Sequence, residues 1–501
     1  MAANSRRDHE VHDDQIPEAL FRQANLINGN WISANDGPAI EVTNPATGGL
    51  IGRVPETGLE GVREAIEAAH ASFGIWRTTL AGDRAQLLKR IHASVLQHQE
   101  PLARLLTLEQ GKPLSEARAE IAYAASYFEW FAEEARRTYG EVIPTQRADR
   151  RMLVIKEPVG VTATITPWNF PSAMLARKIA PALAAGCTVV SKPAEATPFS
   201  ALALGAIAQE AGLPPGVWNI VTGVPAKIGA ELCNSPLVRK LSFTGSTQTG
   251  KLIMRQCSET LKRLSLELGG NAPFIVFESA DVDAAVRGAI ASKYRNAGQT
   301  CVCVNRFLVH DRVHDEFTEK LVRASKALRL GEGLDDQTEV GPLINDDAVA
   351  KVVRHVQDAS ERGGEVVCGG RSDTRGGTFF LPTVIVGATP EMLLAREETF
   401  GPVAAIFRFN SEAQAVALAN DTRSGLAAYF YSRDLSQIWR VAEQIEAGMV
   451  GINEAIISSE VIPFGGVKES GFGREGGSHG IDDYMHTKYL CLGGIDGSAN
   501  G

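Results

Sequence analysis

Short apolar runs alternate with helix-length segments from about residue 160 onward, and this alternation restricts the fold more than any other feature of the chain. Strands are predicted at 161–165, 188–191, 218–221, 241–243 and 264–268, and helices at 173–184, 201–210 and 247–257. Such strand–helix–strand connections are right-handed and build a parallel sheet that helices cover on both faces. A second series of strands is predicted at 274–276, 307–309, 365–367, 403–407, 428–431 and 450–453. The pattern therefore predicts an α/β protein with two such series.

The rest of the chain has a different character. Residues 58–138 have apolar residues at helical spacing, and residues 140–157 place apolar residues on both sides of a polar turn, as in a protruding hairpin. Residues 1–24 are expected to form a solvated tail. An apolar segment at 489–492 is expected to form an edge strand, which needs a partner and could pair with another subunit.

Length and composition restrict the class of protein. The 501 residues suit two or three domains. The net charge of −9 argues against a nucleic-acid partner, and it means that an anionic substrate would need local arginines. The longest apolar stretch is too short to cross a membrane, so no membrane partner is expected. Seven scattered cysteines favour a reducing, cytoplasmic setting over a disulfide framework, and a single Cys-x-Cys pair argues against a zinc site.

Two stretches are candidates for binding a nucleotide at the carboxyl ends of strands. Gly245 and Ser246 follow a predicted strand and open a helix, so a tight turn would present free N–H groups to a pyrophosphate. The alternative is an ordinary helix with a serine or threonine cap. Lys192 and Glu195 can both bind ribose hydroxyls, and an acid at that place favours NAD over NADP. A surface ion pair is the alternative there.

Three further residues are candidates for catalysis. Cys301 lies in a loop of polar and glycine residues, where a thiol is accessible and a stabilised thiolate is expected. Glu267 lies in an apolar strand, where burial should raise its pKa into the range of a general base. The alternative is a buried glutamate whose carboxylate accepts hydrogen bonds from the backbone N–H groups of Gly269 and Gly270. Asn169 can donate its amide to an oxyanion, or it can simply form a turn.

Together these motifs resemble the aldehyde dehydrogenase superfamily over roughly residues 25–495. The matching stretches are TPWNFP at 166–171, KPAEATP at 192–198, FTGSTQTG at 243–250, LELGGNAP at 266–273, GQTC at 298–301, EETFGP at 397–402 and PFGGVKESGFGRE at 463–475. The resemblance implies a Rossmann-like NAD-binding domain, an α/β catalytic domain and a small β oligomerisation arm. The expected boundaries are a tail at 1–24, the NAD-binding domain at 25–139 and 158–272, the catalytic domain at 273–480, and oligomerisation segments at 140–157 and 481–501. A homodimer or homotetramer is the expected assembly.

The resemblance also implies an activity, the oxidation of an aldehyde to a carboxylic acid with NAD, or with NADP as the alternative coenzyme. Cys301 is the implied nucleophile that forms a thioester, Glu267 activates the hydrolytic water, and Asn169 with the Cys301 N–H holds the oxyanion. Lys178 is implied to relay protons. The residues implied to bind the coenzyme are Thr166, Trp168, Lys192, Glu195, Gly245, Ser246, Leu268, Glu398 and Phe400.

Within the superfamily the chain is most similar to the succinate-semialdehyde dehydrogenases. This likeness rests on PSAMLARK at 171–178, YRNAGQTCVC at 294–303 and NEAIISS at 453–459. Arg177 and Arg295 match that family's binders of a distal carboxylate, with Ser459 assisting, and an arginine fork suits a carboxylate. The alternative is that one arginine only pairs with an acid of the protein. Phe170 and Phe464 are implied to wall the aldehyde channel.

Several alternatives follow from these expectations. Succinate semialdehyde is the first expected substrate and glutarate semialdehyde the second, whereas an uncharged or aromatic aldehyde is the main rival within enzymes. A non-enzymatic binding protein on the same fold would form no NADH with any aldehyde. A thiol hydrolase using Cys301 would cleave esters without NAD.

Cys303 gives a testable prediction about oxidation. In the family that the chain resembles, the extra cysteine can form a disulfide with the nucleophile Cys301, which requires the loop to rearrange. An unreactive Cys303 is the alternative. We expect peroxide to inactivate the wild type in a way that a thiol reductant reverses, and to inactivate Cys303→Ala without recovery. Equal, irreversible inactivation of both proteins would leave the disulfide without support.

Overall fold

The structure is a computed structural model and describes residues 13–35 and 37–495. The first part of the chain contains β1 (Ala24–Ile27), β2 (Asn30–Ser33), β3 (Ala39–Thr43), β4 (Leu50–Pro55), α1 (Leu59–Trp76), α2 (Ala81–Gln97), α3 (Gln99–Gln110), α4 (Leu114–Glu134), β5 (Glu141–Ile143) and β6 (Arg150–Pro158). The middle part contains β7 (Val161–Ile165), α5 (Pro171–Ala185), β8 (Thr188–Lys192), α6 (Pro198–Glu210), β9 (Trp218–Ile220), α7 (Pro225–Asn234), β10 (Val238–Thr244), α8 (Thr247–Ser258) and β11 (Arg263–Glu267).

The last part contains a second alternating series. Its elements are β12 (Ala272–Val276), α9 (Val282–Lys293), β13 (Val304–His310), α10 (His314–Ala327), α11 (Asp346–Glu361), β14 (Glu365–Cys368), β15 (Thr383–Val386), α12 (Leu393–Arg396), β16 (Val403–Phe409), α13 (Glu412–Asn420), β17 (Ser424–Gly425), β18 (Ala427–Tyr431), α14 (Leu435–Gln444), β19 (Met449–Ile452), β20 (Val467–Lys468), β21 (Gly471–Phe472) and β22 (Met485–Gly493).

The predicted α/β architecture with parallel sheets is confirmed. The first sheet has the order β2-β1-β9-β8-β7-β10-β11-β21, and its five middle strands are parallel. Antiparallel strands close it at both ends, β1 with β2 at one end and β21 at the other. The sequence did not predict β21, because two residues are too few to carry a periodic pattern.

The second sheet has the order β14-β15-β16-β13-β12-β18-β19. Its strands are parallel except for β14, which pairs with β15 in the antiparallel sense. Aromatic rings fill the space beside its central strands, and Phe274 packs against Phe307 with ring centroids 5.2 Å apart. The central strands are buried on both faces, which is why they have almost continuous apolar sequences.

The hairpin predicted at 140–157 is present as β5 and β6, and β22 joins it in a three-stranded antiparallel sheet. Strand β22 pairs with β6 from Met485 opposite Pro158 to Gly493 opposite Arg150. One edge of this last strand therefore pairs with the hairpin of the same chain, and β22 is the edge strand of that sheet, so pairing with another subunit stays a prediction.

The segment before β1 is not a solvated tail where it is described. Leu20 is 3% exposed, and Asp13 forms an ion pair with Arg104 of α3 at 2.7 Å. Residues 13–24 therefore pack on the helices, because a leucine and an acid find partners there. The first twelve residues of the predicted tail lie outside the described residues. Within the described part of the chain, no helix combines the length and the hydropathy needed to cross a bilayer.

Gly471 provides a test of the link between β21 and β11. Its φ is +108°, and a Cβ there would lie 1.9 Å from the backbone oxygen of Leu266. We expect Gly471→Ala to lower the unfolding midpoint, because the strained contact costs about 1–3 kcal/mol. Scanning calorimetry at one scan rate measures this. The matched control is Gly58→Ala, where φ is −71° and a Cβ meets nothing within 4 Å. Equal midpoints for the two variants would contradict the prediction.

Candidate active site

Four adjacent parallel strands of the first sheet end at one edge, and the candidate residues follow them there. Lys192 ends β8 and Glu267 ends β11, whereas Asn169 follows β7 and Ser246 follows β10. A cavity of about 350 Å³ opens at this edge. Candidate residues in its lining are Trp168, Asn169, Gly245, Ser246, Glu267, Leu268, Cys301, Glu398 and Phe400. Ligands bind at the carboxyl ends of strands in sheets of this kind, so this cavity is the candidate site for the coenzyme.

A second cavity of about 260 Å³ lies on the other side of Cys301. Its lining includes Phe170, Arg177, Arg295 and Phe464, together with three residues that we had not singled out, Glu116, Glu120 and Tyr123. Cys301 lines both cavities. Molecules bound in the two cavities would therefore both border Cys301.

The thiol of Cys301 is not held as a thiolate. Burial raises its pKa to about 12, because the effect of desolvation exceeds the opposing effects of Arg177 and Arg295, and because Glu398 and Glu267 act in the same direction as burial. This corrects the expectation of a stabilised thiolate. The proton must leave as the sulfur attacks, so a base has to be close by.

Glu267 is 2% exposed, and neither of its carboxyl oxygens has a hydrogen-bond partner among the described residues. The Gly270 N–H donates instead to Oε1 of Glu398 at 3.0 Å, so the alternative of a glutamate satisfied by that glycine turn is wrong. Burial raises the pKa of Glu267 well above its ordinary value, and the negative charge of Glu475 raises it further. A carboxylate of this kind is a strong base once it is ionised.

Asn169 is held by both its side chain and its backbone. One N–H of its amide donates to the Gln299 carbonyl at 3.0 Å, and the amide has a second N–H. The Asn169 carbonyl accepts from Nζ of Lys112 at 2.8 Å and from Nδ2 of Asn296 at 3.0 Å. The residue is therefore more than a turn former, since its amide lines the first cavity beside Cys301.

The far wall of the first cavity is built by the segment around Glu398. Burial raises the pKa of Glu398 to about 7, against the effect of the Gly270 N–H. Phe400 has a left-handed backbone with φ +55° and packs edge-on against Trp168 with centroids 5.5 Å apart. Leu268 is buried against Gly250, where a Cβ would come within 2.5 Å of Leu268 Cδ2.

The structure at Gly245 and Ser246 agrees in part with both interpretations of their motif, a turn that requires glycine and an ordinary helix cap. Gly245 does not have a positive φ, but a Cβ there would lie 2.5 Å from the Phe243 ring, so side-chain packing requires the glycine. Ser246 caps α8, since its hydroxyl accepts from the Thr249 N–H at 3.3 Å. The cap leaves other N–H groups of the first turn directed at the cavity.

Lys192 and Glu195 form an ion pair at 2.8 Å, and their side chains are 3% and 47% exposed. The pair is therefore not a surface pair in the usual sense, since the lysine is buried. Burial lowers the pKa of Lys192, and Glu195 opposes this effect. Thr166 donates its N–H to the Lys192 carbonyl at 3.2 Å. None of these three residues is in the lining of the first cavity.

Arg177 and Lys178 share one acid. Nε of Arg177 lies 2.5 Å from Oε2 of Glu475, and Nζ of Lys178 binds Oε1 of the same carboxylate. Lys178 also donates to the Ser242 hydroxyl at 3.0 Å, and burial lowers its pKa. The alternative in which one arginine pairs with a protein acid therefore applies to Arg177, although its terminal nitrogens have no hydrogen-bond partner among the described residues.

Arg295 differs from Arg177. It lies over the Phe170 ring at 5.4 Å, and its buried Nε has no partner in the described structure. Ser459 does not line the second cavity, whereas Ser458 does. The Ser459 hydroxyl donates to Glu460 at 3.1 Å, so the geometry favours Ser458 over the predicted Ser459 at this wall.

Cys303 points away from both cavities. Its thiol is buried and lies 3.5 Å from the Val304 carbonyl and 3.6 Å from the Lys293 carbonyl. All seven cysteines are free, so the disulfide with Cys301 stays a prediction that requires rearrangement of the loop. The described residues contain no cluster of three or more histidine, cysteine or acidic side chains that could hold a metal.

Several residues of the site were missed by sequence reasoning. Lys112, Glu116 and Glu120 lie before and within α4, and Lys112 and Glu120 form an ion pair at 2.6 Å with both side chains fully buried. The sequence contained a signal for them, because Glu116 and Glu120 are four residues apart in an apolar helix and therefore share one face. It did not indicate that this face touches the catalytic loop.

The chain matches the model of the aldehyde dehydrogenase family over residues 31–490. It is 58% identical to the NADP(+) succinate-semialdehyde dehydrogenase of Escherichia coli (strain K12), over 95% of this chain and 98% of that relative. It is 56% identical to a glutarate-semialdehyde dehydrogenase of Pseudomonas aeruginosa, over 96% and 100%. The crystal structure of succinate-semialdehyde dehydrogenase from Burkholderia pseudomallei matches with a TM-score of 0.94 at 56% identity, over 95% and 99%.

The raised pKa of Glu267 makes stability depend on pH. The folded protein keeps this carboxyl protonated where the unfolded chain ionises it. Its contribution is therefore complete below about pH 4.3, the ordinary glutamate value, and is lost as pH rises toward the folded pKa. We expect Glu267→Gln to unfold at a higher temperature than the wild type at pH 8, and the difference to shrink at pH 5. Scanning calorimetry at both pH values measures it.

The matched control for this prediction is Glu129→Gln, which removes an exposed glutamate from α4. Its midpoint should differ from that of the wild type by the same small amount at pH 5 and pH 8. A difference for Glu267→Gln that does not change between the two pH values would contradict the prediction.

Proposed function

The chain belongs to the aldehyde dehydrogenase family, and from that premise we propose that it oxidises an aldehyde with a distal carboxylate to the acid, through a thioester on Cys301 and with NAD(P) as the oxidant. One observation carries the proposal. Cys301 is shared by two cavities, one bordered by Glu267, Asn169 and the carboxyl ends of the first sheet, and the other bordered by arginines. This arrangement suits a reaction between two bound molecules at one sulfur.

The first cavity fits a nicotinamide dinucleotide. It offers the N-terminal turn of α8 for a pyrophosphate, the flat Trp168 beside it, and a buried carboxyl at Glu398 for ribose hydroxyls. Lys192 and Glu195 would hold the other ribose. An acid at 195 disfavours a 2′-phosphate, so we propose NAD as the preferred coenzyme and NADP as the alternative.

The first half of the reaction depends on Cys301 and Asn169. The sulfur adds to the aldehyde carbon, and the oxygen gains negative charge that the free N–H of the Asn169 amide and the Cys301 N–H stabilise. Because the pKa of the thiol is about 12, its proton must pass to a base during attack, and Glu267 in its ionised form is the base that lines the same cavity. A nicotinamide bound in the first cavity would supply the oxidant, because it would accept the hydride that leaves the carbon bonded to the sulfur.

The second half hydrolyses the thioester. Glu267 takes a proton from water as the water oxygen attacks the acyl carbon, the carbon–sulfur bond breaks to release the acid, and Glu267 returns that proton to the leaving sulfur. Lys178 and Glu475 form a buried ion pair whose charges act on the pKa of Glu267 in opposite directions, Glu475 raising it and Lys178 lowering it. We propose that Lys178 relays towards solvent the proton that Glu267 took from the thiol, giving up one of its own protons as it receives that one, so that Glu267 is ionised again before it acts on water. The apolar surroundings keep the carboxyl basic enough to act at neutral pH.

The second cavity supports a substrate with an anionic end. The chain carries a net charge of −9, so its overall field repels anions and only local cations attract one. Arg177 already pairs with Glu475, whereas no described carboxylate lies within 4 Å of the Arg295 guanidinium. We therefore propose that Arg295 binds the distal carboxylate first and that Arg177 assists with its unpartnered terminal nitrogens. Succinate semialdehyde is the preferred candidate and glutarate semialdehyde the second.

The assembly, the domain boundaries and the setting remain proposals. We propose a homodimer or homotetramer that uses the sheet of β5, β6 and β22, whose exposed Val142, Tyr489 and Leu492 would find partners there. The domains are proposed as 25–139 with 158–272 and 273–480, linked by β21, which lies in the second segment but pairs in the first sheet. A reducing compartment such as the cytoplasm suits the free cysteines.

Arg295→Ala tests the substrate class. We expect kcat/KM for succinate semialdehyde to fall about 10²-fold or more, because a charge-assisted contact of about 2–3 kcal/mol is lost. For an uncharged aldehyde of similar length the change should be small. NADH formation at 340 nm, with NAD and NADP in parallel, gives these constants. Arg287→Ala is the matched control, since Arg287 is an exposed arginine on α9.

An equal loss on both aldehydes would overturn the distal-carboxylate proposal and leave an uncharged or aromatic aldehyde as the substrate. Absence of NADH with every aldehyde would favour a non-enzymatic binding protein. Ester cleavage that needs Cys301 but not NAD would favour a thiol hydrolase.

A further inference from the structure

Glu116 is an acid in the cavity that we assign to an anionic substrate, and the reaction described above gives it no role. It lies in the first turn of α4 and lines the second cavity together with Arg295 and Cys301. A carboxylate in a site for a carboxylate repels the ligand, so its presence there requires an explanation.

One oxygen of Glu116 is attached to the catalytic loop. Oε2 accepts the Asn296 N–H at 2.8 Å. Asn296 and Ala297 both have left-handed backbones, with φ of 51° and 54°, and they lead into the segment that ends at Cys301. Residues that have a Cβ rarely adopt this conformation, so the loop needs fixed partners. Glu116 supplies one of them from α4.

The charges around the cavity divide into pairs. Lys112 has its own acid in Glu120 at 2.6 Å, and both oxygens of Glu120 are occupied, because Oε1 also accepts the Ser172 and Ala173 N–H groups. Arg177 and Lys178 share Glu475. Arg295 and Glu116 are the two charged groups of the cavity lining that remain without a charged partner in direct contact.

Arg295 and Glu116 act on each other through space. Burial raises the pKa of Glu116, and Lys112, the Asn296 N–H and Arg295 all act to lower it. The negative charge of Glu116 therefore reduces the positive potential that Arg295 offers to an incoming anion. A charge that acts through space, without direct contact, changes the affinity for anionic ligands and leaves the affinity for neutral ligands unaffected.

We propose that Glu116 determines substrate specificity: its carboxylate holds the catalytic loop through Asn296, and its charge limits how strongly Arg295 attracts the anionic end of the substrate. The inference rests on the proposed function, since it assumes that Arg295 faces that end. The cavity then favours aldehydes with one negative charge, for which a single arginine suffices, over those with two.

Glu116→Gln tests the charge, because glutamine keeps an oxygen that can accept the Asn296 N–H. The quantity measured is the ratio of kcat/KM for succinate semialdehyde to kcat/KM for an uncharged aldehyde of the same length. We expect this ratio to rise about fivefold, equivalent to about 1 kcal/mol. A merely structural role would change both constants by the same factor and leave the ratio unchanged. A ratio that stays constant or falls would overturn the proposal.

Two further variants keep the test decisive. Glu116→Asp retains the charge, so its ratio should stay within about twofold of the wild type, and Glu116→Met removes the charge if the glutamine variant does not fold. Glu129→Gln removes an exposed charge from the same helix and should leave the ratio unchanged. A rise in that control equal to the rise in Glu116→Gln would also overturn the proposal.

The double variant Glu116→Gln with Arg295→Ala separates this inference from the proposed function. If Glu116 acts through Arg295, its ratio should equal that of Arg295→Ala alone, and a further fivefold rise would contradict the coupling. If the wild type and Arg295→Ala have the same ratio, the proposed function has failed. If those two differ but Glu116→Gln leaves the wild-type ratio unchanged, only the role of Glu116 has failed.

Discussion

The backbone carbonyl of Asn169 receives two hydrogen bonds, from Lys112 and from Asn296, and the geometry of the site depends on them. One donor comes from the turn before α4 and the other from the catalytic loop. The carbonyl therefore links the loop after β7 in the first sheet to the loop before β13 in the second. Together with the hydrogen bond from the Asn169 amide to the Gln299 carbonyl, this link fixes the amide of Asn169 relative to the loop that contains Cys301.

Buried charges surround this link, and each has a different consequence. Lys112 and Glu120 are fully buried and form an ion pair with each other. Removing either residue would leave the charge of the other buried and unpaired. Glu475 serves two cations at once. Glu267 has no partner among the described residues, and its raised pKa is the direct result. Glu267, the proposed base, is thus an acid that has no hydrogen-bond partner on either oxygen among the described residues, and stability is given up at the position where the proposed reaction needs a base.

The division of the site into two cavities around Cys301 explains how one fold keeps two ligands apart. The coenzyme side is built by strand ends and the first turn of α8, whose positions follow from the parallel sheet. The proposed substrate side is built mainly by α4, α5 and the catalytic loop, and its lining contains the two arginines, Arg177 and Arg295. Under the proposed function, the charges of Arg295 and Glu116 act on the substrate side, and neither residue is in the lining of the first cavity.

The sequence by itself determined the α/β order of elements and the hairpin at 140–157, and it selected Cys301, Glu267 and Asn169 as candidates, because strand periodicity and residue chemistry are local properties. Tertiary structure alone decided which charges face one another. The pairing of Arg177 with Glu475, the contact of Glu116 with Asn296 and the pKa of about 12 at Cys301 join residues that are distant in the chain. Burial and through-space charge set those properties, and a linear pattern records neither of them.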